Sequence, residues 1–584
     1  MNLQYPSVNS ATIYLDKNDA YRTHTEDINK DGLFFENVYR QAKICTRIIL
    51  ENTKYRYKQS SGRTDFESDC LFESDCSNKP MVSRYPNNII AFTAHRGHGK
   101  TSAMLSFSQY LKKQNSDTED EISGQFHVLD VIDPTMLEEK DSIIRTIISQ
   151  MFRLFRDRCD VMWDKEELRN FRSVLRESQQ NLIKKFRDCY RLAELQKSAK
   201  RLSDSYDDLE MLSDHGDSSN LKVKLYELVR DYLKFMFEYQ PAGQSKKQPE
   251  YSEDSSFLVI QIDDTDMNCK NAFEVVDDIR KYFVIPNVLT LFATDLEQLS
   301  ISVEKHFLEA YQPILTHIQP NDLASLAAAA HCRKRCRKNA ASYLDKLIPG
   351  MQRITLPDLD AELRDPLRRI LICQDSKETE KTELQQLLIN KLNARTLLQL
   401  RPHPRGRHPF LPKRMRELSH FLFLLDHMEV PQITVRDILH WSTGTVEATS
   451  ENWSQVTLLR QNLETLLHYL LNDWSELHLA NPRHKMVLED IHHEETPLKV
   501  STAVASMRKI FQEIQDLIPD REYYTWDDLV RCSDTFRNKH TADDRDFSCA
   551  LDIYFMIYKM LILIHDCTGY VIREHTESGG AVHE

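Results

Sequence analysis

Glycine is scarce in this chain, with 13 in 584 residues. That is too few for a fold of tight glycine turns, and it points to long helices. The 12 cysteines are scattered without a dense framework, so a disulfide-stapled secreted domain is excluded and reduced thiols are expected. The first residues, MNLQYPSVNS, lack the charged, apolar and small-residue sections of a signal peptide, so a cytoplasmic location is expected. Long apolar runs are also missing. The one membrane-like stretch, 551–564 (LDIYFMIYKMLILI), is short and carries Asp552 and Lys559; it reads as a buried core helix, and no membrane partner is expected. Basic charge is in deficit too: the formal net charge is −13 and the pI near 6.0, which argues against general coating of nucleic acid and leaves only a local patch.

Several catalytic signatures are absent. His492, His493, Glu494 and Glu495 do not form HExxH, and no GxSxG elbow occurs. The chain also has no LSGGQ, and no NKxD or TKxD follows the last apolar strand, which favours ATP over GTP as a nucleotide.

Apolar residues make up 41% of the chain, enough for two or three domains. Residues 33–57 carry helical spacing. Residues 59–83 are polar and repeat FESDC at 66–70 and 72–76; they read as a solvated loop, and the pair Cys70 and Cys76 lacks the CxxC spacing of a metal clip. Four short apolar strands then follow, at 88–93, 126–132, 257–262 and 288–293. Between the second and third lies a long helical stretch, 138–239, broken by the acidic, Ser-rich 203–220 and followed by a polar linker at 241–256. Alternating strands and helices imply a parallel sheet with helices on both faces and a ligand beyond the carboxyl strand ends. The expected fold class is α/β, a P-loop NTPase parallel sheet with a helical insertion and helix-rich C-terminal domains. Its expected parts are 1–87 (helix and flexible loop), 88–137 with 257–357 (core), 138–256 (insertion), 358–430 (helical lid) and 431–584 (C-terminal helices).

The chemistry gathers where those strands end. The stretch AHRGHGKTS comprises Ala94, His95, Arg96, Gly97, His98, Gly99, Lys100, Thr101 and Ser102, and joins a strand to a helix. Backbone N–H groups turned inward at a helix N-terminus bind phosphate, and the two glycines permit that turn. Lys100 is expected to reach the β- and γ-phosphates, and the Thr101 hydroxyl to ligate Mg²⁺. A second oxygen ligand belongs at the end of another apolar strand, and Asp263 stands there. Asp264 is the candidate to polarise water, and Asp266 either orients neighbours or caps a helix; the plain alternative for all of them is a solvated turn. Thr294 and Asp295 end the next strand, as a γ-phosphate sensor or as an ordinary helix cap.

In order and type, AHRGHGKTS, LVIQIDDTD, TLFATD and YLDKLIPGMQRITLP resemble the KAP and STAND branch of AAA+-related P-loop ATPases over about 88–426. The plan is also similar to that of the ATPase of the RADAR antiviral system. The chain departs from the commonest KAP loop, which has tryptophan and glycine before the lysine, and it carries Asp264 where many AAA+ ATPases use glutamate. The resemblance implies ATP and Mg²⁺ as cofactors, a homo-oligomer, possibly a ring, a partner effector protein, and a role in bacterial antiviral defence. It also implies an arginine that reaches the nucleotide, for which Arg353, Arg414 and Arg416 are candidates; solvated helix faces are the alternative.

Two further stretches stand out. Residues 331–338, HCRKRCRK, are the most basic run. No aromatic residue is interleaved, so a solvated face or subunit contact is favoured over nucleic acid, and no second ligand pair supports zinc at Cys332 and Cys336. Residues 401–407, RPHPRGR, read as an extended linker. Three functions follow: an ATPase controlling a partner's assembly or activation, a nucleotide-dependent scaffold with little hydrolysis, and a nucleic-acid-stimulated ATPase.

Overall fold

The computed structural model describes residues 9–16, 22–23, 28–29, 32–60, 87–113, 122–138, 141–163, 172–199, 221–238, 251–267, 272–312, 323–365, 368–373, 381–398, 400, 411–434, 436–438 and 449–478. The chain is α/β and mostly helical, and it divides into two units, 23–358 and 1–22 with 359–584.

In unit 23–358, helix α1 (Glu36–Ser60) precedes the first strand, β1 (Ile89–Thr93). Helix α2 (Lys100–Lys113) follows, then β2 (Gln125–Ile132). Three long helices come next, α3 (Ile143–Trp163), α4 (Arg172–Ala199) and α5 (Leu221–Glu238). After β3 (Ser256–Asp263) come α6 (Ala272–Asp278), β4 (Val288–Thr294), α7 (Leu296–Ala310), α8 (Leu323–Leu347) and β5 (Arg353–Thr355). The strands form one all-parallel sheet in the order β2-β3-β4-β1-β5. Nearly every residue of β1, β3 and β4 is buried, as expected of strands covered on both faces.

Successive strands move across the sheet in two directions, and this fixes where a ligand would sit. From β1 the chain crosses to the far edge at β2; from β4, the neighbour of β1, it crosses the other way to β5. Right-handed crossovers leaving adjacent strands in opposite directions put their helices on opposite faces. On one face α2 buries Met104, Phe107 and Leu111, with Phe107 5.9 Å from Phe92 of β1 between ring centroids. On the other, Ile89 and Ala91 share one core with Ile147, Phe186, Tyr232, Val276, Val303 and Leu344. The carboxyl ends of β1 and β4 are therefore the switch point, the place that favours ligand binding in open α/β sheets. Phe107→Ala would cost about 3–5 kcal/mol from this packing.

The three-helix insertion is part of this core. Phe155 meets Phe235 at 4.9 Å and Phe186 at 5.7 Å. The Tyr232 hydroxyl lies 2.8 Å from Nε2 of His127 in β2, and burial pushes that imidazole down to about 4.

The second unit departs from expectation. Asn9–Asp16, in the polar start, is a strand pairing in parallel with Arg368–Cys373, inside the stretch expected to be a helical lid. Strand Thr382–Glu383 pairs antiparallel with Arg368–Cys373, and helices Leu359–Arg364, Leu384–Thr396, Met415–His427 and Ser450–His478 also belong to this unit. Residues 66–76, 203–220, 401–407, 492–495 and 551–564 lie outside the described residues. No described helix is long and apolar enough to cross a membrane.

Candidate phosphate-binding site

Strand register sets the floor of the site. Thr93 at the end of β1 aligns with Thr294 of β4, and Asp263 of β3 aligns with Ala293. The three strand ends therefore lie side by side. Beyond Thr93 the chain turns through Gly97 and Gly99, at φ 88° and 90°, values that glycine adopts without the Cβ penalty of other residues. Helix α2 begins at once: Ala103 N–H donates to Gly99 O at 2.9 Å. The N–H groups of its first turn precede any intrahelical bond and form the positive end of the helix dipole. Lys100 is buried, and its ammonium donates to Ala94 O at 3.0 Å, so the charge folds back over the loop.

The second half of the site is carboxylate. Asp263 Oδ1 accepts from Thr101 Oγ1 at 3.0 Å and from Asp264 N–H at 3.0 Å. Burial pushes the Asp263 carboxyl up to about 6, the neighbouring Asp264 charge adds to the rise, and Asp133 at the end of β2 contributes further. The site is short of positive charge at Asp263. Asp264 sits at φ 48°, a left-handed backbone that aspartate tolerates better than most L-residues. Asp266, buried, accepts from Thr294 Oγ1 at 3.2 Å and from Asp295 N–H at 3.0 Å. Asp266 therefore orients its neighbours, one of the two alternatives for it. Thr294 is fully buried with its hydroxyl given to Asp266, and Asp295 caps α7 by accepting from Glu297 N–H and Gln298 N–H.

Both loop histidines are tied down. His95 Nδ1 lies 3.0 Å from Asp295 Oδ2. His98 Nδ1 lies 3.1 Å from His95 O, and its Nε2 is 3.6 Å from Asp358. Arg96 and His95 are exposed, and Ala94, Gly97, Gly99, Thr101 and Ser102 are partly exposed. Asp133 and Asp358 were not singled out from the sequence. The Asp-Pro that ends β2 was a signal for the first; Asp358 carries none, because its nearness to His98 depends on the position of β5.

Arg353 does not join this group. Arg353 is the first residue of β5, aligned with Ala91, two positions short of the carboxyl edge. Its guanidinium donates to Asp345 at 2.7 Å and to Ile348 O at 2.7 Å. Arg414 and Arg416 belong to the other unit, both exposed, with Arg414 3.6 Å from Glu417.

Among the described residues no cluster of three or more His, Cys, Asp or Glu side chains is arranged for a metal ion. Thr101 and Asp263 offer two hard oxygens. That fits a divalent cation such as Mg²⁺ only if phosphate oxygens and water supply the rest, its usual habit. No protein-family profile matches the chain, and no curated protein matches it.

Proposed function

We propose that the chain is a P-loop NTPase that binds Mg²⁺-ATP at 94–102 and hydrolyses it to ADP and phosphate. One observation carries the reading: the Thr101 hydroxyl and the Asp263 carboxylate meet at 3.0 Å, at the switch point and beside the start of α2. Thr101 and Asp263 would hold the metal, whose positive charge would favour the ionised Asp263 carboxylate that burial, and then the Asp264 charge, disfavours. Lys100 would release Ala94 O and turn to phosphate, a stronger, charge-assisted acceptor. Asp264 is the candidate to polarise the attacking water, with Thr294 acting through Asp266. On the resemblance to KAP and STAND ATPases, the nucleotide state would control assembly of a homo-oligomer or activation of a partner effector, in bacterial antiviral defence.

A fluorescent ATP analogue titrated with and without Mg²⁺ tests the binding. Saturable, Mg²⁺-dependent binding that Lys100→Ala weakens is expected; no binding at millimolar analogue overturns the reading. Mass measurement with and without ATP tests assembly, and an unchanged mass removes that part alone.

A scaffold with little hydrolysis is the second reading, favoured by the commitment of the Thr294 hydroxyl to Asp266 and by the short Asp264 side chain. Phosphate release unchanged in Asp264→Ala supports it. Arg414 and Arg416 stay candidates for stabilising transferred phosphoryl charge, and alanine variants that hydrolyse normally remove them.

A further inference from the structure

The basic run has no role in the site above, and its surroundings differ from what the sequence suggested. It lies within α8, where Arg333, Lys334, Arg335, Arg337 and Lys338 are exposed and Cys336 is buried. Arg337 pairs with Glu304 at 3.4 Å. The other four have no carboxylate partner among the described residues. Several cations elsewhere are matched: Arg153 with Asp130, Lys185 with Asp231, Arg280 with Asp277 and Arg353 with Asp345. Lys334 and Lys338 stand four residues apart on the helix and repel one another, and no partner among the described residues offsets it.

Aromatic rings absent from the run are supplied by neighbouring helices. Contacts Glu304–Arg337 and Phe307–Tyr343 show that α7 and α8 run in the same sense. Two residues past Glu304 is His306, exposed, its ring stacked on Phe273 of α6 at 3.6 Å and 11°. Phe273 in turn lies 5.2 Å from Tyr343 of α8, and Arg280 covers that ring at 5.3 Å. Phe273, Phe307 and Tyr343 are all partly exposed. Phe273, Phe307 and Tyr343 pack against the core, and His306 is the exposed ring of the cluster; unpaired cations on a helix packed beside an exposed ring suit single-stranded nucleic acid, since phosphates take the charge and a base stacks on the ring. An acidic protein segment would match the cations and make no use of the exposed His306 ring.

We propose that α8, with the aromatic cluster of α6 and α7, is a docking surface for single-stranded nucleic acid. The test uses the full chain and fluorescein-labelled oligo-U RNA and oligo-dT DNA, read by anisotropy. If the four unpaired cations each meet a phosphate, affinity falls about 50-fold between roughly 50 and 200 mM salt. The quadruple variant R333E/K334E/R335E/K338E is expected to abolish binding while keeping the helical circular dichroism and the melting midpoint of the parent. His306→Ala is expected to weaken binding several-fold with the salt slope unchanged, which charge alone would not produce. Three results overturn the proposal: no binding of either oligomer at low salt, binding that survives the quadruple variant, or poly-glutamate bound as tightly as RNA and equally indifferent to His306→Ala. The last identifies an acidic protein partner. None of these readouts depends on whether 94–102 binds ATP.

Discussion

The two ends of the five-stranded sheet use polar side chains in opposite ways. At the amino end every group named here closes a structural contact. Asn88 donates from its buried amide to Phe283 O, Ile285 O and Val288 O at 2.8–3.1 Å. Asn287, at φ 64°, holds Ser256 O at 2.8 Å and accepts from Tyr57 at 2.5 Å. At the carboxyl end the groups are held by one another but poorly compensated: Lys100 rests on a backbone carbonyl, and Asp263 is partly desolvated beside two other carboxylates. Polar groups committed to backbone contacts specify a fold, whereas undercompensated charged ones are poised for a ligand.

Substitutions at the two ends should therefore separate binding from stability. The largest expected effect is Lys100→Ala, which should weaken Mg²⁺-ATP binding or turnover by about 100- to 1000-fold, the scale of one lost charge-stabilising donor. Its melting midpoint should stay near that of the parent. A variant that unfolds instead would make Lys100 a structural residue like Asn88, and the contrast would fail.

Asn88→Ala is the converse. Three buried carbonyls lose their donor, a loss of about 2–3 kcal/mol in stability, measured by denaturant unfolding. At a temperature where the variant is folded, nucleotide affinity should be unchanged. A drop in affinity without a drop in stability would place the amino end in the site.

This contrast explains what was legible in the sequence. Strands expected at 88–93, 126–132, 257–262 and 288–293 appear as Ile89–Thr93, Gln125–Ile132, Ser256–Asp263 and Val288–Thr294, because buried parallel strands are continuous apolar runs bounded by polar residues. Glycines before a lysine likewise marked the loop. Strand β5 was not legible, since three residues carry no period, and its height in the sheet decides that Arg353 misses the site. Nor was the pairing of Asn9–Asp16 with Arg368–Cys373, whose partners are more than 350 residues apart. The links from His95 to Asp295 and from His98 to Asp358 depend on strand order, which local pattern does not encode.

Asp263→Asn sharpens the carboxyl-end half through pH. The Asp263 carboxyl titrates at about 6 in the folded chain against 3.8 unfolded, so the native state holds a proton that the unfolded chain has released. Its contribution to stability is greatest below about 4 and is lost as pH rises to about 6. Asparagine should abolish that dependence and raise the melting midpoint at neutral pH. Mg²⁺ needs the carboxylate, so Mg²⁺-dependent affinity in the parent should climb as pH passes upward through about 6, and should be lost in Asn. A parent whose Mg²⁺-dependent affinity is flat between pH 5 and 7 would remove Asp263 as a ligand.

The smallest effect is the most discriminating. Arg353 stands on the edge strand with Asp345 and Ile348 O as its partners, and Asp345 is largely exposed. A pair of that kind contributes about 0.2–1 kcal/mol. Arg353→Ala should lower stability by no more than that and leave both ATP affinity and phosphate release at parental values at every protein concentration. Concentration matters because a neighbouring copy that used Arg353 would show the loss only where chains associate. A turnover defect appearing on assembly would return Arg353 to the site from the outside, and would mean that the partners seen in the single chain are exchanged for phosphate when copies meet.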